Sequence, residues 1–198
     1  MTILLSILIG FLIGGIPTGI LLCRAIKGVD PRTIGSGSSG ATNVSRVLGK
    51  KWALVVLVLD GLKGYLPVRF LAPALANNEC LPAAAAAMAV SVAIGHIWTP
   101  YAGFRGGKGV AASAGGLIAL DPRATGLALV VWLLAFLPFR YVSLASIIAA
   151  IAFPIIMIVL GERPIAYLVA GGALALLIIY AHRANISRIL RHEEKRLF

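Results

Sequence analysis

The stretch TILLSILIGFLIGGIPTGILLC, residues 2–23, carries no charged side chain over its whole length. It exceeds the roughly 20 apolar residues a helix needs to cross a bilayer core. No basic region leads it and no small-residue cleavage site follows, so it reads as a mature helix and not as a removable signal. Gly10 with Gly14, and Gly15 with Gly19, place small residues four apart, which lets another helix approach closely. Pro17 is expected to kink it.

Working outward, the same character recurs. Of 198 residues, 60% are hydrophobic and 13% charged, too few polar groups to cover a soluble domain. Apolar runs are expected as helices over about 52–75, 82–99, 124–138, 142–160 and 164–181. A run over 109–120 would reach about 18 Å, short of a full crossing, and reads as a sunken or re-entrant helix. The fold class is all-α: a polytopic integral membrane helix bundle in one domain over 1–198, with about seven transmembrane helices, one of them short. Five crossings remain the alternative if 109–138 does not cross twice.

The net charge of +11 could suggest nucleic acid in a soluble chain. Here the basic residues cluster between helices, at Arg24 to Lys51 and in the tail from Arg183, as the positive-inside rule requires. No nucleic-acid partner is expected. With both basic segments cytoplasmic and an odd number of crossings, the N-terminus lies outside and the C-terminus inside. The segments 24–51, 100–108 and 182–198 then share the cytoplasmic face, with the tail read as a surface helix. Cys23 and Cys80 fall at opposite faces and cannot form a disulfide.

Those three polar segments carry the chemistry. GSGSSGATNVSR, residues 35–46, offers consecutive small-residue backbone N–H groups that can fold round an anion. Gly35, Gly37 and Gly40 supply that backbone, Ser36, Thr42 and Asn43 add donors, and Arg46 adds a fixed positive fork. FRGGKG, residues 104–109, sets Gly106, Gly107, Lys108 and Gly109 before a helical run, where the helix N-terminus favours anions. It lacks the spacing of a P-loop. In HRANISR, residues 182–188, His182 and Asn185 share a helix face, Arg183 and Arg188 point elsewhere, and Glu194 falls twelve residues after His182. The bland reading of each is a linker, an anchor or a basic surface helix. His96 is read as either a ligand contact or an interfacial residue. Asp60 and Lys63, three apart at membrane depth, read as a structural pair near the site.

Several chemistries find no motif. There is no H-E-x-x-H, no metal-spaced cysteine–histidine cluster, no dinucleotide fingerprint and no nucleophile elbow. No histidine has an aspartate five residues later, which excludes the His-x4-Asp dyad of many acyl-CoA-dependent acyltransferases. No metal and no cofactor are expected.

Taken in order, G-S-G-x-x-G-A-T-N-x-x-R, then G-H with F-x-G-G-K-G-V-A, then H-R-x-N-I-x-R and a later glutamate resemble the bacterial acyl-phosphate:glycerol-3-phosphate acyltransferases, the PlsY family. The resemblance extends to Leu59–Gly64 and to Tyr141–Ser146. It implies transfer of a fatty acyl group from acyl phosphate to the 1-hydroxyl of glycerol 3-phosphate, giving lysophosphatidate and phosphate, as the first step of phospholipid synthesis. It implies Ser36, Arg46, Lys108, His182 and Asn185 as catalytic residues. Gly35, Gly37, Gly40, Thr42, Asn43, His96, Gly106, Gly107, Gly109, Ser143, Arg183 and Glu194 are implied for substrate binding. Ser38 stands where the family often has asparagine. The partners implied are acyl phosphate, glycerol 3-phosphate and membrane lipid, for a monomer in the bacterial cytoplasmic membrane.

The expected chemistry is direct attack of the hydroxyl on a mixed anhydride, driven by positioning and charge neutralisation. Either His182 or a substrate phosphate takes the proton. A Ser36 acyl-enzyme ranks lower because no base is evident beside it. The rival class is a transporter or channel for phosphate-like anions. A purely structural membrane subunit would have no use for three such loops.

Overall fold

A computed structural model describes residues 1–197, and among them there are eleven α-helices and no strand. The first apolar run breaks where Pro17 cannot supply a backbone N–H, giving α1 (Thr2–Gly15) and α2 (Thr18–Lys27). The polar segment that follows is not the open loop that 24–51 suggested. It holds the last turn of α2, a single 3₁₀ turn at Pro31–Thr33 and a short helix, α3 (Ala41–Leu48). Val44 and Val47, three apart, bury one face of α3 beside Cys23 and Val56.

Next come α4 (Lys50–Leu66) and α5 (Ala72–Leu75), joined without a break by a π-helical turn at Pro67–Leu71, where the missing N–H of Pro67 widens the ladder. The order continues with α6 (Leu81–Ile97), α7 (Val110–Leu120), α8 (Pro122–Phe139), α9 (Val142–Val159), α10 (Ile165–Ala181) and α11 (Arg183–Leu190). Each apolar run expected from the sequence is a helix. By length and composition four of the described spans can cross a membrane: Thr2–Lys27, Leu81–Ala102, Pro122–Phe139 and Val142–Val159. The pair α10–α11, bent by 58°, makes a fifth. The charge-bearing α4–α5 rod and the short α7 complete the bundle.

The helices meet through small residues, as lipid-embedded bundles do. A Cβ on Gly14 would strike the backbone of Val92, and one on Gly95 the carbonyl of Phe11, so α1 and α6 pack backbone to backbone. Gly64 and Gly115 do the same for α4 and α7. The main core gathers Met88, Ala89, Leu117, Ala124, Phe153, Met157 and Leu174. Large apolar side chains such as Leu54, Leu134, Leu137 and Ile158 point outward, where lipid would cover them.

Asp60 and Lys63 bond to the break in the first span. Lys63 Nζ lies 2.9 Å from Asp60 Oδ1 and donates to the carbonyl of Ile16 at 2.9 Å. Thr18 Oγ1 donates to Asp60 Oδ1 at 2.5 Å. Lys63 thus adds a second donor to the Ile16 carbonyl, which also accepts from Thr18 N–H at 3.0 Å, and the pair braces the chain at the break. The tail differs from the expected surface helix: α11 stops at Leu190, and His192 turns the chain with a positive φ of 58°. Leu197 N–H then reaches the carbonyl of Arg140 at 3.0 Å. Cys23 is buried and Cys80 exposed, both free thiols.

Candidate active site

The three polar segments lie together at one end of the bundle. Arg32 Nη1 donates to the carbonyls of Ala102 (2.6 Å) and Arg105 (2.9 Å), tying the first segment to the second. Lys108 Nζ donates to Asn185 Oδ1 at 2.5 Å, tying the second to the third.

The first loop is shaped from within by Asn43. Its Nδ2 faces the carbonyls of Pro31 (2.7 Å), Ile34 (3.0 Å) and Ser38 (2.9 Å), while its Oδ1 accepts from Ser36 N–H at 3.0 Å. Asn43 is 1% exposed and its amide is fully engaged by backbone. Asn43 thus organises the loop from within, and it also lines a cavity. Gly35 has a φ of +64° and no room for a Cβ beside Asn43 Oδ1; Gly37 is also left-handed. The expected nest over Gly35–Gly40 is mostly closed internally, because the N–H groups of Ser36, Gly37 and Gly40 donate to Asn43, Ile34 and Ser38 Oγ. Among the N–H groups of Ser38, Ser39, Ala41 and Thr42, at the start of α3, none is so engaged. Arg46, on α3, is exposed and makes no hydrogen bond or ion pair among the described residues. Ser36 is exposed too.

The second loop folds back on the end of α6. Gly106 N–H donates to the Ile97 carbonyl (3.0 Å) and Gly107 N–H to that of His96 (3.1 Å). A Cβ on Gly106 would meet the His96 carbonyl, and one on Gly107 the His96 ring nitrogen Nε2. The two glycines therefore serve close approach; their N–H groups are not offered to an anion, contrary to the sequence expectation. His96 is 7% exposed, with Nδ1 3.6 Å from Asp60 Oδ1. It forms the floor under the glycine loop and links that loop to the Asp60–Lys63 pair. Gly109, left-handed with a φ of +79°, starts α7 and leaves Lys108 at the helix entrance. Burial pushes the Lys108 ammonium down to about 8; Glu194 raises it, and Arg188 and Arg46 lower it further.

The third segment closes a polar chain. Asn185 Nδ2 donates to Glu194 Oε1 (2.6 Å), Ser143 Oγ to the same oxygen (2.8 Å), and Arg188 Nε to Glu194 Oε2 (2.7 Å). Burial opposes the charge on Glu194, but these three donors outweigh it and hold the carboxyl below its ordinary range. Glu194 arrives by chain reversal, not by helical register. His182, where α10 bends into α11, has Nδ1 2.8 Å from the carbonyl of Ile178. That nitrogen must carry hydrogen, which leaves Nε2 of the neutral ring as an acceptor. Arg183 stacks over Tyr180 at 4.5 Å and donates to its carbonyl. Arg188, set aside by counting from His182, is a site residue: it lies three positions after Asn185, on the same face, and that spacing was readable.

Two cavities meet here. One of about 540 Å³ is lined by the polar Ser36, Arg46, Lys108, His182 and Glu194 and by apolar residues that include Leu117, Ala128 and Phe153. The other, about 330 Å³, is framed by Gly106, Gly107, Arg105, Arg183 and Trp98. Ser36, Ser38, Lys108, Asn185 and Arg188 border both. Thr42, Gly35, Gly40, Gly109 and Ser143 line the first, Gly37 the second. Among the described residues, no group of three or more His, Cys, Asp or Glu could hold a metal ion.

The family model for glycerol-3-phosphate acyltransferase matches residues 4–192. The glycerol-3-phosphate acyltransferase of Desulforudis audaxviator (strain MP104C) is 43% identical over 197 residues, covering 99% of this chain and 96% of its own. That of Endomicrobium trichonymphae is 42% identical, covering 98% and 95%. The crystal structure of PlsY (YgiH), an integral membrane glycerol 3-phosphate acyltransferase, in its glycerol 3-phosphate form superposes with a TM-score of 0.91 at 37% identity, covering 99% of this chain and 96% of that one. Its lysophosphatidic acid form gives 0.88 at the same identity, covering 99% and 95%. With a helical membrane bundle, three joined polar loops and these likenesses along nearly its whole length, the chain belongs to the glycerol-3-phosphate acyltransferase family.

Proposed function

We propose that this protein moves a fatty acyl group from acyl phosphate to the 1-hydroxyl of glycerol 3-phosphate, releasing lysophosphatidate and phosphate. The observation that carries this reading is the junction of two cavities at Lys108 and Asn185, one lined in part by apolar residues and one framed by arginines. A donor with a hydrocarbon tail and a phosphate fits the first; a small, polar phosphate fits the second. The solved relatives described with glycerol 3-phosphate and with lysophosphatidic acid agree with an acceptor and an acylated product of this kind.

In this reading the acceptor hydroxyl attacks the acyl carbonyl, a carbon–oxygen bond forms, and the bond to phosphate breaks. Lys108, Arg46 and Arg188 neutralise the phosphate groups, and Glu194 and Asn185 hold Lys108 in place. The hydroxyl proton passes to His182 Nε2 or to a phosphate oxygen. Ser36 positions substrate and forms no acyl-enzyme, since among the described residues neither imidazole nor carboxylate is hydrogen-bonded to it. The site faces the cytoplasm of a bacterium, the N-terminus lies outside, and the protein acts as a monomer without metal or cofactor.

Purified protein in detergent, given acyl phosphate and glycerol 3-phosphate, should release phosphate and lysophosphatidate in equal amounts. A transporter needs a sealed membrane and would release neither; that result would overturn the reading.

A further inference from the structure

Phe153 is the bulkiest fully buried side chain that lines the larger cavity. Val142 and Phe153 both line it and both belong to α9, eleven residues apart, which is about 16 Å of helix. An extended acyl chain advances about 1.3 Å per methylene, from the tetrahedral geometry of ~1.5 Å carbon–carbon bonds. A straight chain whose carbonyl sits at the level of Ser143 therefore meets Phe153 after about a dozen carbons. Leu117, Thr125 and Ala128 line the same cavity, and Leu117 and Ala128 belong to the same buried cluster as Phe153.

Phe153 is 1% exposed and cannot retreat, except where α10 gives it room. That room is Gly171: a Cβ there would lie 2.9 Å from two carbons of the Phe153 ring. The ring thus lies between α10 and the cavity, and the absence of a side chain at Gly171 sets how far back it sits.

We infer that Phe153, seated against Gly171, is the floor that sets acyl-chain length selectivity. This rests on the acyl-phosphate reading of the cavity. Chains longer than the straight run must bend past Leu129, which is largely exposed toward the lipid, and give up buried contact. Each methylene that gains or loses burial is worth about fourfold in binding.

The test is kcat/KM for acyl phosphates of 12 and 18 carbons, with Phe153→Ala, Phe153→Leu and Gly171→Ala. Phe153→Ala should raise the 18:12 ratio about tenfold, Phe153→Leu should raise it less, and Gly171→Ala should lower it severalfold by pushing the ring inward. The Leu variant keeps most of the core volume, so the reading survives if the Ala variant fails to fold. Wild-type turnover with a ratio unmoved by the variants overturns the floor while leaving the donor assignment standing. No wild-type turnover of any acyl phosphate overturns the donor assignment and this inference with it.

Discussion

At the residue scale, the site depends on buried polar groups that have little choice of partner. Lys108 is held near pH 8 by burial, so its charge is present below that pH and lost above it. Glycerol 3-phosphate is already dianionic above about pH 6, since its second pKa lies there. The expected outcome is a kcat/KM that falls on the alkaline side from about pH 8, read in a detergent assay across pH 6–10. Lys108→Arg keeps its charge throughout, and its residual activity should lose that limb. Lys108→Ala should cost at least about 10²-fold, as loss of a charge-stabilising donor does elsewhere. Asn43 tests a different property. Asn43→Asp can still accept from Ser36 N–H but has no N–H to offer the carbonyls of Pro31, Ile34 and Ser38 that surround the amide. It should destabilise by about 2 kcal/mol or more and abolish turnover, measured by thermal unfolding and phosphate release.

At the element scale, the break in the first span and the glycine loop share one support. Asp60 touches Thr18 of α2, Lys63 of its own helix and, at 3.6 Å, His96 of α6. Their side chains are 3% and 7% exposed for Asp60 and Lys63, so removing one partner strands a charge. Asp60→Asn alone should cost about 3–5 kcal/mol, whereas Asp60→Asn with Lys63→Met should recover much of that loss. Denaturation in detergent of the two single variants and the double variant checks the coupling. The reading of Asp60 and Lys63 as a structural pair came from spacing and the cost of charge at membrane depth. The further partner of Lys63, the carbonyl of Ile16, was not visible until Pro17 was seen to open the helix.

At the scale of the whole molecule, convergence is the decisive feature. Single cysteines at the exposed positions 36, 105 and 183, one in each polar segment, should react with an impermeant thiol reagent from the same side of a sealed vesicle. Native Cys80, in the exposed turn before α6, should react from the other side, and buried Cys23 from neither. Ending the chain after Leu190 removes Glu194 and frees Ser143, Asn185 and Arg188. It should abolish activity while leaving the helical content nearly unchanged by circular dichroism.

The apolar helices, their order, the break at Pro17 and the three polar motifs were legible in the chain itself, because lipid imposes a length and a polarity on each run that one residue after another must satisfy; the short α3 within the first polar segment was not. The role of each residue within a motif was not. Asn43, Gly106 and Gly107 look like anion binders in one dimension, yet the fold spends their donors on the backbone or sets them against it. Arg188 looked misplaced and lies at the junction of both cavities. Glu194 reaches Asn185 through a chain reversal that no helical periodicity encodes. Periodicity reports which face of an element is apolar; which hydrogen bond a donor makes depends on what another element brings within 3 Å, and only the packed bundle decides that.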